Sequence, residues 1–131
     1  MRVVLDASTA VQIALNRRPM ADHLEAIAEA DAVLAPELIV PEVTNAIWKY
    51  HQFEKLETET CQRVLELALN LVDTLVSGKD LYREAFLLAR TSRLPAYDMF
   101  YLALARRDDA TLLTVDRVLR QEAARQGVRV I

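Results

Sequence analysis

The feature that most constrains the fold is an alternation along the chain, in which short, continuously apolar runs are separated by stretches of helical periodicity. Val3-Val4-Leu5, Ala32-Val33-Leu34-Ala35, Thr74-Leu75-Val76, Thr111-Leu112-Leu113-Thr114-Val115 and Val128–Ile131 read as strands. Helices are predicted over Ser8 to about Arg17, Ala21–Ala30, Leu38–Phe53, Thr58–Leu71, Leu81–Thr91, Ala96–Arg107 and Arg117–Gln126. Pro19 and Pro36 close segments, and Pro41 is tolerated near a first helical turn. Ser77-Gly78 and Gly127 mark strand boundaries. Strands apolar along their whole length and connected through helices call for a parallel sheet covered on both faces, so the expected class is α/β. Ligands of such open sheets bind at the carboxyl ends of strands, near the point where strand order reverses.

With 131 residues, 53% of them hydrophobic, the chain is expected to form one domain over residues 1–131. Two glycines and four prolines leave little material for flexible linkers. The single cysteine, Cys61, excludes an internal disulfide and fits a reducing cytoplasm. No segment approaches the ~18 apolar residues of a membrane span, and the run before Asp6 is too short for a signal peptide. A soluble cytoplasmic protein is therefore expected. The net charge of −3 does not suit a passive backbone-neutralising nucleic-acid binder, but it is unevenly spread. Residues 1–66 hold 11 acids and 6 bases, whereas residues 67–131 hold 8 acids and 10 bases. Arg17-Arg18, Arg90, Arg93 and Arg106-Arg107 lie near predicted helix ends, where they serve equally well as solvated C-terminal charges or as forks for phosphate.

Four acids stand out. Asp6 follows the first strand and Asp116 the fourth, and each precedes a helix, so each has a ready explanation as an N-cap. Ser8 and Thr9 could cap in place of Asp6. Asp98 is the only charged residue between Leu94 and Ala105, in a helix apolar nearly all round and therefore buried. A carboxylate there is costly unless paired, and no base occurs before Arg106. Glu42 lies beside the apolar stripe Val43, Ala46, Ile47 and Tyr50, sharing a neighbouring stripe with Asn45 and Lys49; it is equally a first-turn acid favoured by the helix dipole. If these acids converge at one end of the sheet, their repulsion raises their pKa values, and a divalent cation removes that cost. All-oxygen donors suit Mg2+, with Mn2+ as the alternative, and point to phosphoryl chemistry.

Other chemistries lack their parts. His23, His51 and Cys61 sit in amphipathic helices, and no phosphate-binding glycine loop occurs. A phosphatase of the haloacid-dehalogenase type would want aspartate where Ser8 stands, and a receiver domain needs a late lysine, whereas none follows Lys79.

Val3-Val4-Leu5-Asp6-Ala7-Ser8, Pro41-Glu42-Val43-Thr44-Asn45-Ala46, Tyr97-Asp98 with Tyr101-Leu102-Ala103-Leu104-Ala105, and Leu112-Leu113-Thr114-Val115-Asp116 together resemble the four signature blocks of PIN-domain ribonucleases, and more narrowly the VapC-type toxins of toxin–antitoxin pairs. The resemblance implies a three-layer fold whose five parallel strands run in the order 3-2-1-4-5. It implies a Mg2+- or Mn2+-dependent endoribonuclease with Asp6, Glu42, Asp98 and Asp116 as its acidic site, the alternative being a catalytically silent PIN-like module that acts through its helical surface. Asp6, Asp98 and Asp116 would hold the metal, with Glu42 acting through water, and Ser8, Asn45 and Thr114 would support the acids. The implied partners are an RNA substrate, a cognate antitoxin and a second copy of the chain. Trp48, turned away from the Val43/Ile47/Tyr50 stripe, and the leucine-rich helix after it suggest a partner surface; packing of Trp48 within its own chain is the alternative.

Overall fold

The computed structural model describes residues 1–131. Its elements are β1 (Arg2–Leu5), α1 (Ala7–Leu15), α2 (Ala21–Glu29), β2 (Ala32–Pro36), α3 (Ile39–Glu54), α4 (Thr58–Asn70), β3 (Thr74–Val76), α5 (Tyr82–Ser92), α6 (Ala96–Arg107), β4 (Thr111–Leu113) and α7 (Arg117–Arg125). A single 3-10 turn, Gly78–Asp80, leads into α5 and was not expected from the sequence pattern. The four strands are all parallel and ordered β3-β2-β1-β4.

The expected fifth strand is reduced to one bridge, between Leu112 and Val130. Leu112 and Thr114 donate to the carbonyls of Arg129 and Ile131, so this segment occupies the outer side of β4, where strand five was placed. β4 itself spans only three residues, and the chain turns toward it through a left-handed Gly127 (φ 74°), which leaves a short edge to pair with.

The continuous apolar runs are buried, as a two-sided sheet requires: Val3, Val4, Leu5, Leu112 and Leu113 are fully enclosed. Helix α6 packs on β1, β2, β4 and α5, which accounts for the burial of Met99 and of Tyr101 through Ala105. Its first turn is different. Ala96 and Tyr97 are exposed, so Asp98 lies at the rim of the core and not inside it. Helices α1, α3 and α4 pack on one another, and α3 buries Ile39, Val43 and Ile47 at four-residue intervals. No helix is long and apolar enough to cross a membrane.

The chain steps outward from β1 to β2 to β3, then returns to place β4 on the other side of β1. Strand order therefore reverses between β1 and β4, and Asp6 and Asp116 leave the sheet on either side of that point. The amide of Asp6 donates to the Leu113 carbonyl (3.2 Å), which ties the two strand exits together.

Candidate active site

Asp6 and Asp116 are both caps and cleft residues, because capping occupies only one oxygen of each. Asp6 Oδ1 accepts from the Thr9 amide (2.8 Å) and the Ser8 hydroxyl (3.0 Å), and Asp116 Oδ1 accepts from the Leu119 amide (3.0 Å). Asp6 itself is thus the cap of α1, and Ser8 and Thr9 are its donors, not its substitutes. Asp6 is buried, and burial raises its pKa against the lowering effect of hydrogen bonds from Thr114, Thr9 and Ser8. Thr9 was not picked out as a site residue, yet its Oγ1 also accepts from the Val115 amide (3.0 Å) and so joins the two acid-bearing turns. Thr114 accepts from the Asp116 amide (2.9 Å), which fixes the turn after β4.

The two helix-borne acids have fewer protein donors. Glu42 Oε1 accepts from the Tyr101 hydroxyl at 2.6 Å. Burial raises the Glu42 pKa, this bond lowers it, and the charge of Asp6 raises it further. Burial and the Glu42 carboxylate push the Tyr101 phenol well above its ordinary value, which keeps it a donor. Asp98, half-buried at the start of α6, receives no hydrogen bond from the chain and forms no ion pair. Its pKa is raised from 3.8 to about 6 by burial and then by the charges of Asp116, Glu42 and Asp6. The other three acids act on Asp98 although the four come from positions up to 110 residues apart.

All four line one cleft of about 550 Å³, together with Ser8, Asn45 and Tyr101. Thr114 lies beneath it, buried, and Asn45 is exposed at its wall. The Glu42/Asn45/Lys49 stripe of α3 faces the cleft as its spacing suggested, and Tyr50, Phe53 and Glu54 extend that wall. The missed participant is Tyr101. Its signal was present in the sequence: a phenol three residues after Asp98 on an apolar helix needs a buried partner. His23, His51 and Cys61 do not line the cleft.

The donor set fits a hard divalent cation. It consists of carboxylates, with Asp98 raised first by burial and then by the charges of the other three, and a single lysine among the lining residues. No three His, Cys, Asp or Glu side chains are drawn together as a closed cage. Mg2+ does not need one, since it keeps several waters and binds through one or two carboxylates.

The chain has known relatives in sequence and in fold. The chain is 27% identical over 124 residues to "Ribonuclease VapC3" of Pyrobaculum aerophilum, covering 93% of this chain and 95% of the relative. Its fold is similar to that of PAE2754 from Pyrobaculum aerophilum (TM-score 0.73, 21% identity, 99% of this chain and 89% of that one). It is also similar to VapBC2 from Rickettsia felis bound to a DNA fragment from its promoter (TM-score 0.68, 17% identity, 100% and 98% covered) and to FitAcB from Neisseria gonorrhoeae (TM-score 0.65, 17% identity, 98% and 96% covered). The family model of the PIN domain matches residues 3–124, a span that holds all but the first residue of β1, the whole of β4 and all four cleft acids, and the chain is accordingly a member of the PIN-domain family.

Proposed function

We propose that this protein is a divalent-metal-dependent endoribonuclease that hydrolyses RNA phosphodiester bonds at Asp6, Glu42, Asp98 and Asp116, and that it is the toxin of a toxin–antitoxin pair. The observation that carries the reading is the electrostatics of Asp98: a carboxylate with no donor from its own chain, raised to about 6 beside three others. Such a group is poorly placed for folding and well placed to bind a cation. The similarity to "Ribonuclease VapC3" supports RNA as the substrate class.

In this reading Asp6, Asp98 and Asp116 would hold the cation, and Glu42 would assist through water. A bound Mg2+ or Mn2+ would acidify a water molecule and offset negative charge on the scissile phosphate. The chain's own residues do the positioning. Ser8 and Thr9 pin one oxygen of Asp6 and leave the other side of the carboxylate toward the cleft. Tyr101 orients Glu42, whose second oxygen is free to hold a proton or a water. Thr114 fixes the turn that presents Asp116, and Asn45 offers an amide at the wall for the substrate. A cognate antitoxin, a second copy of the chain and a cytoplasmic location belong to the same reading. The relatives' name VapBC2 and the exposed apolar side chains Leu67, Phe86 and Leu87 support the protein partners.

The test is cleavage of single-stranded and structured RNA by the purified chain. Cleavage is expected only with added Mg2+ or Mn2+, and activity retained in EDTA or in Asp98→Asn overturns the mechanism. Calorimetric Mn2+ binding that survives Asp6→Asn and Asp98→Asn overturns the assignment of the metal site.

A further inference from the structure

The cleft changes character along α3. At its inner end lie the four acids; farther along the same helix face come Lys49 and Phe53. Lys49 is the only cation lining the cleft, and it takes part in none of the molecule's ion pairs. The remaining carboxylate of the wall, Glu54, is bound by Arg17 at 3.1 Å, and the Arg17 guanidinium lies 5.1 Å from the centre of the Tyr50 ring. The outer half is therefore neutral to positive, where the inner half is acidic. Phe53 is 73% exposed, and its ring meets Trp48 edge-on (6.1 Å between centroids, 77° between planes).

An acidic end for a metal, a free ammonium and an aromatic face, in that order on one wall, match a single nucleic-acid strand better than a peptide tail. A strand presents phosphate to lysine and a base to an aromatic ring, and stacking of this kind does not depend on sequence. A helix rises about 1.5 Å per residue, so Lys49 lies about 10 Å and Phe53 about 16 Å along the axis from Glu42. At the ~3.4 Å rise of a stacked strand these spans are no more than about three and five nucleotides.

We infer that Lys49 and Phe53 form a substrate track in which Lys49 holds a backbone phosphate and Phe53 stacks a base of the single RNA strand leading into the acidic end of the cleft. The inference rests on the ribonuclease reading and adds to it where the strand lies.

The experiment is steady-state cleavage of an unstructured oligoribonucleotide in Mn2+ by the wild type, Lys49→Ala, Lys49→Arg and Phe53→Ala, across a salt series. Lys49→Ala is expected to raise KM, to leave kcat within about twofold, and to flatten the slope of log KM against log salt by about 0.7, the loss of one single-strand phosphate contact; Lys49→Arg should restore it. Phe53→Ala is expected to raise KM at least about fivefold on oligonucleotides long enough to reach it, and not on a dinucleotide substrate. A wild type that cleaves while both variants keep its KM and salt slope overturns the track, and an effect of Phe53→Ala confined to binding of a protein partner does the same. If the wild type cleaves nothing, the ribonuclease reading fails by itself. Anisotropy of the same labelled strand in Mn2+ then decides the track: affinity lost in both variants supports it, and unchanged affinity overturns it.

Discussion

The acids that leave strands and the acids carried by helices reach the same cleft under different obligations. Asp6 and Asp116 each cap a helix and accept backbone donors, so they help hold the fold whether or not they do chemistry. Asp98 accepts nothing from the chain, and Glu42 accepts only from Tyr101. The comparison teaches that a structural role does not count against a functional one, since a carboxylate has two oxygens and a cap uses one. It also says where function is separable from stability, namely at Asp98.

The largest expected effect comes from breaking the helix side of that comparison. Asp98→Asn should lower RNA cleavage at least about a hundredfold, as loss of a metal ligand does, with the circular dichroism spectrum unchanged; cleavage within tenfold of the wild type would mean Asp98 is not a ligand. The strand side should respond in stability. Asp116→Ala removes the cap of α7 and should cost about 1 kcal/mol in denaturant unfolding, whereas Asp98→Asn should cost nothing. Equal losses at the two positions would erase the distinction.

A smaller effect follows from pH. Asp98 titrates near 6 in the folded chain against 3.8 ordinarily. Between those values the folded state keeps a proton that the unfolded state has released, so metal-free stability should fall as pH rises through that window. Burial moves Asp6 and Glu42 in the same direction. For Asp98 the loss is of order 1 kcal/mol after allowing for its partial exposure. Thermal melts from pH 4 to 7 should show the decline without metal, and show it flattened in Mn2+ and in Asp98→Asn; a metal-free chain that gains stability over that range would contradict the shift. The smallest change is expected for Tyr101→Phe, which leaves Glu42 without its donor. It should cost about 0.5–1.5 kcal/mol and lower kcat more than it raises KM.

Much of the fold was legible because the signals are local. Runs such as Val3-Val4-Leu5 and Leu112-Leu113 mark buried strands, and the turn residues around Pro19, Ser77-Gly78 and Gly127 divide the segments. Element ends shifted by one or two residues. The last strand, whose pairing depends on the short β4, shrank to the Leu112–Val130 bridge. The acids were legible as anomalies, Asp98 most of all. Tyr101 is illegible as a site residue from sequence because a tyrosine in an apolar helix looks like core until its partner, 59 residues earlier, is known. Trp48 fits both a partner surface and its own chain's packing by sequence, and the structure leaves it half-exposed against Phe53.

The sequence by itself determined the alternation of elements, which side of each helix is apolar, and that Asp6 and Asp116 stand at strand ends, since periodicity and capping act over a few residues. Only the tertiary structure decided that β4 lies beside β1, that α6 turns Asp98 toward the same cleft as Glu42, and that one wall of that cleft runs from acid to lysine to phenylalanine. Those outcomes depend on which surfaces exclude water together in a core shared by all the elements, and that is settled by packing across the whole chain and not by any one segment.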